Sequence, residues 1–379
     1  MRVQRRRHEG SVSFELLDDQ ERSIPEVAGF LKHLDGSDCS PNTLSAYAHD
    51  LLHFYRFLDH VELSLDGFGP PQSLALLGYL RQVPARRPAQ RLDLVLTTTT
   101  DGHSATRLAP ATINRIFAAV SSFYEYLIVS GRWLAENPIQ QRPDPALARV
   151  SERHRPFIGP ASRQRPVRRV VRVKTVQRLP RPLECDQVEA LVGSLRRWRD
   201  RAVVLLMLQG GLRPGEVLSL HLEDVQYGRR RVIVRYRTDH PKGARTKSRT
   251  ERVVDLYEPA TLEAVNRYVM DERPREAEVP FVFLVGGRGA KRCEPLSYAA
   301  LVKLFQRRCD RLGMRAPWLT PHALRHTHAT RLWEGGMREL TLQKRLGHAS
   351  PESTRVYTRV SDPMVVEEYR RALGQERPT

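Results

Sequence analysis

Between residues 141 and 181 the chain carries twelve Arg or Lys against two acids, Asp144 and Glu152, together with six prolines. Few apolar residues recur there at any helical or strand period, and each proline lacks a backbone donor, so the stretch supplies no core element. It therefore divides the 379-residue chain into two segments, each long enough to bury a core of its own. The expected organisation is a polar, loose tail over 1–20, a helical domain over 21–140, a basic linker over 141–181, a second domain over 182–362 and a C-terminal tail over 363–379.

The formal net charge is +19 and the sequence pI about 10.3. So large an excess of one sign repels itself in the folded state and favours a polyanionic partner, nucleic acid before any anionic surface. Within the linker, Arg163, Arg165, Arg168, Arg169, Arg172 and Lys174 are the candidates to lie along phosphates. Cys39, Cys185, Cys293 and Cys309 show no CxxC spacing, which argues against a zinc site or a disulfide frame and fits a reducing cytoplasm. The basic start, Met1 to Arg7, is followed by no apolar run, and no segment approaches bilayer-spanning length, so neither a signal peptide nor a membrane partner is expected.

The periodicity predicts a mainly α fold with a small antiparallel β-sheet. Ser40 before Pro41 reads as a helix start, and Leu44, Tyr47, Leu51, Phe54 and Leu58 follow at spacings of three and four. Residues 73–82 form a short helix, and 84–109 a loop. Pro110 opens a helix carrying Ile113, Phe117, Val120, Tyr124 and Leu127, closed by Gly131. In the second domain Asp186 with Glu189 resembles a capping box. An apolar helix, Val203 to Leu208, ends at Gly210-Gly211. Arg231 to Tyr236 and Thr250 to Tyr257 alternate as strands joined by a basic loop containing Lys242 and Arg245; Phe281 to Val285 suggests another strand, and the remainder from Leu296 is helical.

Candidate chemistry concentrates late in the chain. Thr320 precedes Pro321, so His322 and Arg325 fall one turn apart on one helix face near its N-terminus, where free N–H groups favour an anion. Leu346-Gly347-His348 and Tyr357 follow, and Arg213 sits upstream in the turn Gly211-Leu212-Arg213-Pro214-Gly215-Glu216. Two arginines, two histidines and a phenol suit the holding of a phosphodiester and nucleophilic attack on it. His322 and His326 are four apart, yet no acid lies among them and the cysteines are elsewhere, so no metal is expected.

These residues, in this order, resemble the tyrosine recombinases of the phage-integrase and Xer class. That family's pattern is an Arg in a G-L-R-x-x-E turn, a Lys in a β-hairpin, H-x-x-R, L-G-H, and a Tyr nine residues after the last His. Here they are Arg213 with Glu216, Lys247, His322 with Arg325, His348 and Tyr357. Lys242 competes with Lys247 for the lysine; the family's spacing, five residues before an Arg that opens the second strand, selects Lys247 ahead of Arg252-Val253-Val254, although Asp255 stands where the family often has Pro. The resemblance covers the second domain fully and the first more loosely, through Thr43-x-x-x-Tyr47-x-x-Asp50-Leu51 and the helix after Pro110.

The resemblance implies a helical core-binding domain and a mixed α/β catalytic domain forming a C-shaped clamp on double-stranded DNA. Tyr357 would form a 3′-phosphotyrosine without ATP or any other cofactor. Arg213 and Arg325 would hold the non-bridging oxygens, Lys247 would protonate the leaving 5′ oxygen, His322 would assist proton transfer, His348 would bond the phosphate and Glu216 would brace the Arg213 turn. It further implies a homotetramer on two paired recombination sites, with Ser361 to Ala372 docking on a neighbouring protomer and accessory recombinases or DNA-bending proteins as possible partners. Within the family the long basic linker favours a mobile-element recombinase over an Xer-type dimer resolvase. A type IB topoisomerase and a DNA-binding protein without catalysis are the rival classes. A basic linker lying on DNA predicts that log affinity falls linearly with log salt, by about 0.9 for each phosphate neutralised; a filter-binding or polarisation titration with little salt dependence would refute it.

Overall fold

The computed structural model describes residues 1–8, 11–85, 107–143, 167–175, 181–246, 251–348 and 354. The chain divides into two compact units, Met1–Gln177 and Arg178–Thr379.

The first unit opens with a hairpin, where a loose tail was expected. Strands β1 (Arg2–His8) and β2 (Ser11–Leu17) pair antiparallel, with Val3 opposite Leu16 and Arg5 opposite Phe14. Val12, Phe14 and Leu16 alternate with polar residues at the strand period, and Leu16 and Leu17 are buried in the core. The arginine-rich β1 has no such alternation, which leaves β2 as the hairpin's one patterned strand.

Among the described residues the unit also has four α-helices: α1 (Pro25–Gly36), α2 (Pro41–His60), α3 (Pro70–Gln82) and α4 (Pro110–Val129). The sequence reading began its helices at Ser40 and so lacked α1, which buries Val27, Phe30 and Leu31. Ser40 does cap α2, its Oγ accepting from Thr43 N at 3.1 Å. The predicted apolar face of α4 is buried in full, and Tyr124 sends its hydroxyl to Leu65 O at 3.1 Å. Aromatic rings fill the centre, with Phe54 and Phe68 edge to face at 4.9 Å. Asp50, from the family-like motif, receives Arg115 Nη2 at 3.0 Å. Burial pushes its carboxyl up to about 6, against the pull of Arg115.

The linker also departs from expectation where it is described. Strands β3 (Gln141–Pro143) and β4 (Val167–Arg169) pair antiparallel, bringing Arg142 opposite Arg168 and Gln141 opposite Arg169. Val171 and Val173 then pack on the first unit's core. Asn114 of α4 clasps the Val173 backbone in both directions, donating to its carbonyl and accepting from its N–H, each at 2.8 Å. Val171, Val173 and the Asn114 clasp, with the β3–β4 pairing, bring residues 167–175 of the basic segment onto the first unit's core and give its backbone groups partners other than water. Arg163 and Arg165 lie outside the described residues.

The second unit is built around α6 (Trp198–Leu208), flanked by α5 (Cys185–Ser194). Every residue of α6 from Ala202 to Leu208 is buried, as for a helix covered on all sides; α8 (Pro259–Arg267) and α10 (Pro321–Glu334) pack against it. The capping box of α5 is displaced by two residues from Asp186/Glu189. Its helix starts at Cys185, with Glu184 N donating to Gln187 Oε1 at 3.2 Å, because Glu184 and Gln187 offer the same three-residue spacing. A short helix α7 (Pro214–Leu218) follows the Gly210-Gly211 turn.

The sheet is antiparallel in the order β5 (Val225–Gln226), β6 (Arg231–Val234), β7 (Arg252–Asp255). Val232 faces Val254 across β6 and β7, both buried, while Val253 on the other face is 47% exposed. In place of the suggested strand over Phe281 to Val285, Phe281 and Leu284 form single bridges, to His221 and Pro295, and Phe281 to Leu284 are all buried. Helices α9 (Tyr298–Arg311), α10 and α11 (Glu339–Leu346) close the described part. Thr320 occupies the N-cap of α10 before Pro321, but its hydroxyl makes no capping bond.

Asn114→Ala leaves both backbone groups of Val173 without partners and should cost about 1–3 kcal/mol; urea denaturation of the first unit's transition measures it, and an unchanged midpoint would show that Val171 and Val173 alone hold the segment.

Candidate active site

Arg213 is held by the turn that carries it. Its N–H donates to Glu216 Oε2 and its Nη1 to Glu216 Oε1, each at 2.8 Å, so the carboxylate caps α7 and fixes the guanidinium together. Glu216 is buried and serves two further arginines. Arg252, at the start of β7, addresses it as a fork, Nη1 to Oε1 at 3.0 Å and Nη2 to Oε2 at 2.7 Å. Arg325 Nη1 of α10 lies 3.8 Å from Oε2. Burial by itself raises the Glu216 carboxyl, but Arg252, Arg325 and Arg213 together outweigh it and hold it down at about 2.

The C-terminus of α11 is the second anchor. Arg213 Nη2 donates to Gly347 O at 3.2 Å, and Arg325 Nη2 donates to Leu346 O, with Arg325 Nη1 on Gly211 O. Unsatisfied carbonyls at a helix end carry partial negative charge and attract cations. Gly347 closes α11 at φ +62°, and a Cβ there would meet Arg252 Nη1 at 2.8 Å, so only glycine lets the turn wrap over Arg252.

His348 leaves that turn. Its N–H donates to Gln343 O at 3.1 Å, and its Nδ1 lies 2.8 Å from the hydroxyl of Thr354, which is fully buried. Burial, then Arg325, Arg213 and Arg252, push the imidazole down to about 3, so it is neutral at physiological pH. His328, one turn beyond Arg325, is likewise held at about 3 by burial and Arg345. A neutral ring there donates from Nδ1 to Leu208 O at 3.0 Å and accepts at Nε2 from Arg345 Nε at 3.4 Å. His326 is held at about 4 by burial with His322 and Arg325 beside it. His322 is exposed in the first turn of α10.

The structure therefore gathers Arg213, Glu216, Arg325 and His348 into one site, with His322 on the same helix as Arg325. It adds Arg252, Arg345 and Thr354, which sequence reasoning missed as site residues. Arg252 carried a signal, its five-residue spacing from Lys247; Thr354 carried none, because nothing in the local sequence marks it as the partner of His348. Lys242 is exposed and paired with Glu294 at 2.8 Å, and no bond among the described residues links it to the arginine cluster. Arg245 crosses α7 so closely that a Cβ on Gly215 would meet its carbonyl oxygen at 2.4 Å. Lys247 and Tyr357 lie outside the described residues, as does Ser361 to Ala372.

Three guanidiniums against one carboxylate leave a buried excess of positive charge opening toward His348, an environment that suits a phosphate. Glu216→Ala removes the shared counter-charge and should destabilise by about 3–5 kcal/mol, measured by chemical denaturation. Because the Glu216 pKa is depressed on folding, its stabilisation is complete above the ordinary 4.5 and should be lost as pH falls from there toward about 2; an acid titration in which wild type and Glu216→Gln lose stability in parallel would contradict it.

Residues 181–364 match the phage integrase family. Transposase A from transposon Tn554 of Staphylococcus aureus is 29% identical over 362 residues, covering 95% of this chain and 94% of that protein. Tyrosine recombinase XerC of Chlorobaculum parvum is 28% identical over 354 residues, covering 90% and 92% respectively. Among solved structures, the Tn1549 transposon integrase in complex with transposon right end DNA has a TM-score of 0.59 at 16% identity, covering 92% of this chain and 99% of that one. XerH site-specific recombinase bound to palindromic difH has a TM-score of 0.59 at 17% identity, covering 94% and 90%; at such identities the likeness is one of fold. With the arginine turn, H-x-x-R and L-G-H brought together in space, residues 181–364 belong to the phage integrase family, and the protein is a tyrosine recombinase, an enzyme that breaks and rejoins DNA strands.

Proposed function

We propose that this recombinase moves a mobile element by cleaving and rejoining paired DNA sites through Tyr357. The observation that carries the reading is the convergence of Arg213, Arg325 and His348 around Glu216 and the end of α11. Full-length similarity to a transposon transposase supports the mobile-element role. Similarity of comparable extent to XerC sustains one second reading, resolution of chromosome or plasmid dimers by the same chemistry.

In the proposed mechanism Arg213 and Arg325 bind the non-bridging oxygens of the scissile phosphate and offset the charge that develops in the transition state. Both are already oriented by protein acceptors, so little reorganisation accompanies binding. Tyr357 attacks phosphorus, the 5′ oxygen leaves, and a 3′-phosphotyrosine conserves the bond for rejoining. His348, neutral in its positive surroundings, bonds a phosphate oxygen through Nε2 and the Thr354 hydroxyl through Nδ1. Thr354 stands three residues before Tyr357 in the sequence, so this bond anchors the chain just ahead of the nucleophile.

Lys247 serves as the general acid toward the leaving oxygen. Arg245 and Arg252, on either side of it in the sequence, both lie against α7, at Gly215 and Glu216, whereas Lys242 is engaged by Glu294. His322, exposed at the start of α10, assists removal of the tyrosine proton. Arg163, Arg165, Arg168, Arg169, Arg172 and Lys174, with Lys242 and Arg245, contact the DNA backbone. The active assembly is a tetramer on two sites, with the segment after Tyr357 docked on a neighbouring protomer.

The test is a covalent-complex assay on nicked duplexes bearing candidate sites from DNA flanking the coding sequence. Wild type should give a protein–DNA band on a denaturing gel, and Tyr357→Phe should give none while retaining DNA binding. Arg213→Ala should lower the yield by roughly 100-fold or more, the scale of losing an oxyanion donor. A band undiminished in Tyr357→Phe would overturn the assignment of the nucleophile.

A further inference from the structure

Arg252 has no place in the chemistry above, yet its side chain is tightly engaged at the site. Its side chain is 8% exposed. Both Nη atoms are committed to Glu216, and Nε donates to Arg345 O at 3.1 Å in the last turn of α11. Gly347 wraps directly over it. Three elements far apart in sequence thus meet on one planar group: α7, which carries Arg213; β7, which follows the hairpin loop; and the α11 turn, which leads to His348.

We propose that Arg252 is a positioning residue of the recombination site, the fork that locks Glu216, and through it Arg213, to the Arg345–His348 turn. The proposal rests on the recombinase reading and deepens it. The geometry of the fork is what matters. With both carboxylate oxygens engaged by Arg252, Glu216 presents one fixed face to Arg213 N and Nη1. The same guanidinium holds the carbonyl of Arg345, immediately before Leu346 and Gly347, whose carbonyls receive Arg325 and Arg213. A tilt of Arg252 would therefore move both phosphate arginines and the His348 turn together. A point charge cannot impose that tilt, so a lysine is a poor substitute.

The charge arrangement gives a readout that a merely structural residue would not move. Glu216 is faced by Arg213 from its own turn, Arg252 from β7, Arg325 from α10 and His348 beyond α11. Of the groups that hold it ionised, Arg252 contributes most, against burial. Without Arg252 the carboxyl rises, so its protonated fraction at mildly acidic pH grows and the bracing of Arg213 fails there first.

The experiment uses the full chain and the nicked duplex on which wild type forms its Tyr357 adduct. Adduct rates at saturating protein are compared for wild type, Arg252→Gln, Arg252→Lys, Glu216→Gln and the Glu216→Gln/Arg252→Gln double variant between mildly acidic and mildly alkaline pH. DNA affinity and thermal melting are measured alongside. We expect Arg252→Gln to lower the rate roughly 100-fold, the scale of a 1 Å misplacement, with DNA affinity nearly unchanged. Its rate relative to wild type should fall further as pH drops, and the double variant should be little worse than Glu216→Gln. Arg252→Lys keeps a cation in the core, so it folds where the neutral variant is too unstable to assay, and it should recover little of the rate. A rate ratio independent of pH, an additive double variant, or full recovery by lysine would each overturn the proposal. A wild type that formed no adduct on any duplex would instead count against the recombinase reading.

Discussion

One buried carboxylate holds the site together. Three guanidiniums brought close in a region away from water repel one another, and their convergence needs a counter-charge of matching geometry. Glu216 supplies it, with Arg252 on both oxygens, Arg213 on one and its own N-cap on the other. The carbonyls at the end of α11 that lack helical partners supply a second, weaker negative pole. Between these poles the cations are oriented but not neutralised. The residual positive charge is what a phosphodiester can use, and it is in place before DNA arrives.

The same field determines what the histidines can do. His326, His328 and His348 are all held well below the ordinary imidazole range by burial and by neighbouring cations. A neutral imidazole has one donor and one acceptor, and here the split is useful: His328 ties Leu208 to Arg345, and His348 reaches from the α11 turn to Thr354. These rings serve as hydrogen-bonding struts. His322, exposed in the first turn of α10, lies outside that burial.

Most helices were legible, because their apolar residues recur at three and four and their starts carry Ser40, Pro41, Pro110 or Pro214. The β6–β7 hairpin was legible from alternation. The N-terminal hairpin was not legible because β1 carries a single apolar residue, Val3, and only β2 alternates. The 167–175 segment was misread as tether because pairing with Gln141–Pro143 and the clasp by Asn114, 59 residues away, are long-range contacts that no local window contains. The boundary between the units accordingly falls near Gln177, with part of the expected linker inside the first.

The sequence by itself determined the class of chemistry, since the residue types, their order and the nine-residue step from His348 to Tyr357 are local patterns with few other uses. It also determined the glycines and prolines that turn the chain at Arg213 and at Gly347. What only the tertiary structure decided is how those patterns are joined. That Arg252 shares a carboxylate with Arg213 and a helix end with His348, and that Thr354 is the partner of His348, depends on close packing of α7, β7, α10 and α11. The physical reason is that a hydrogen-bonded ion cluster is set by distances of about 3 Å, and such distances across a folded core are fixed by the whole chain at once.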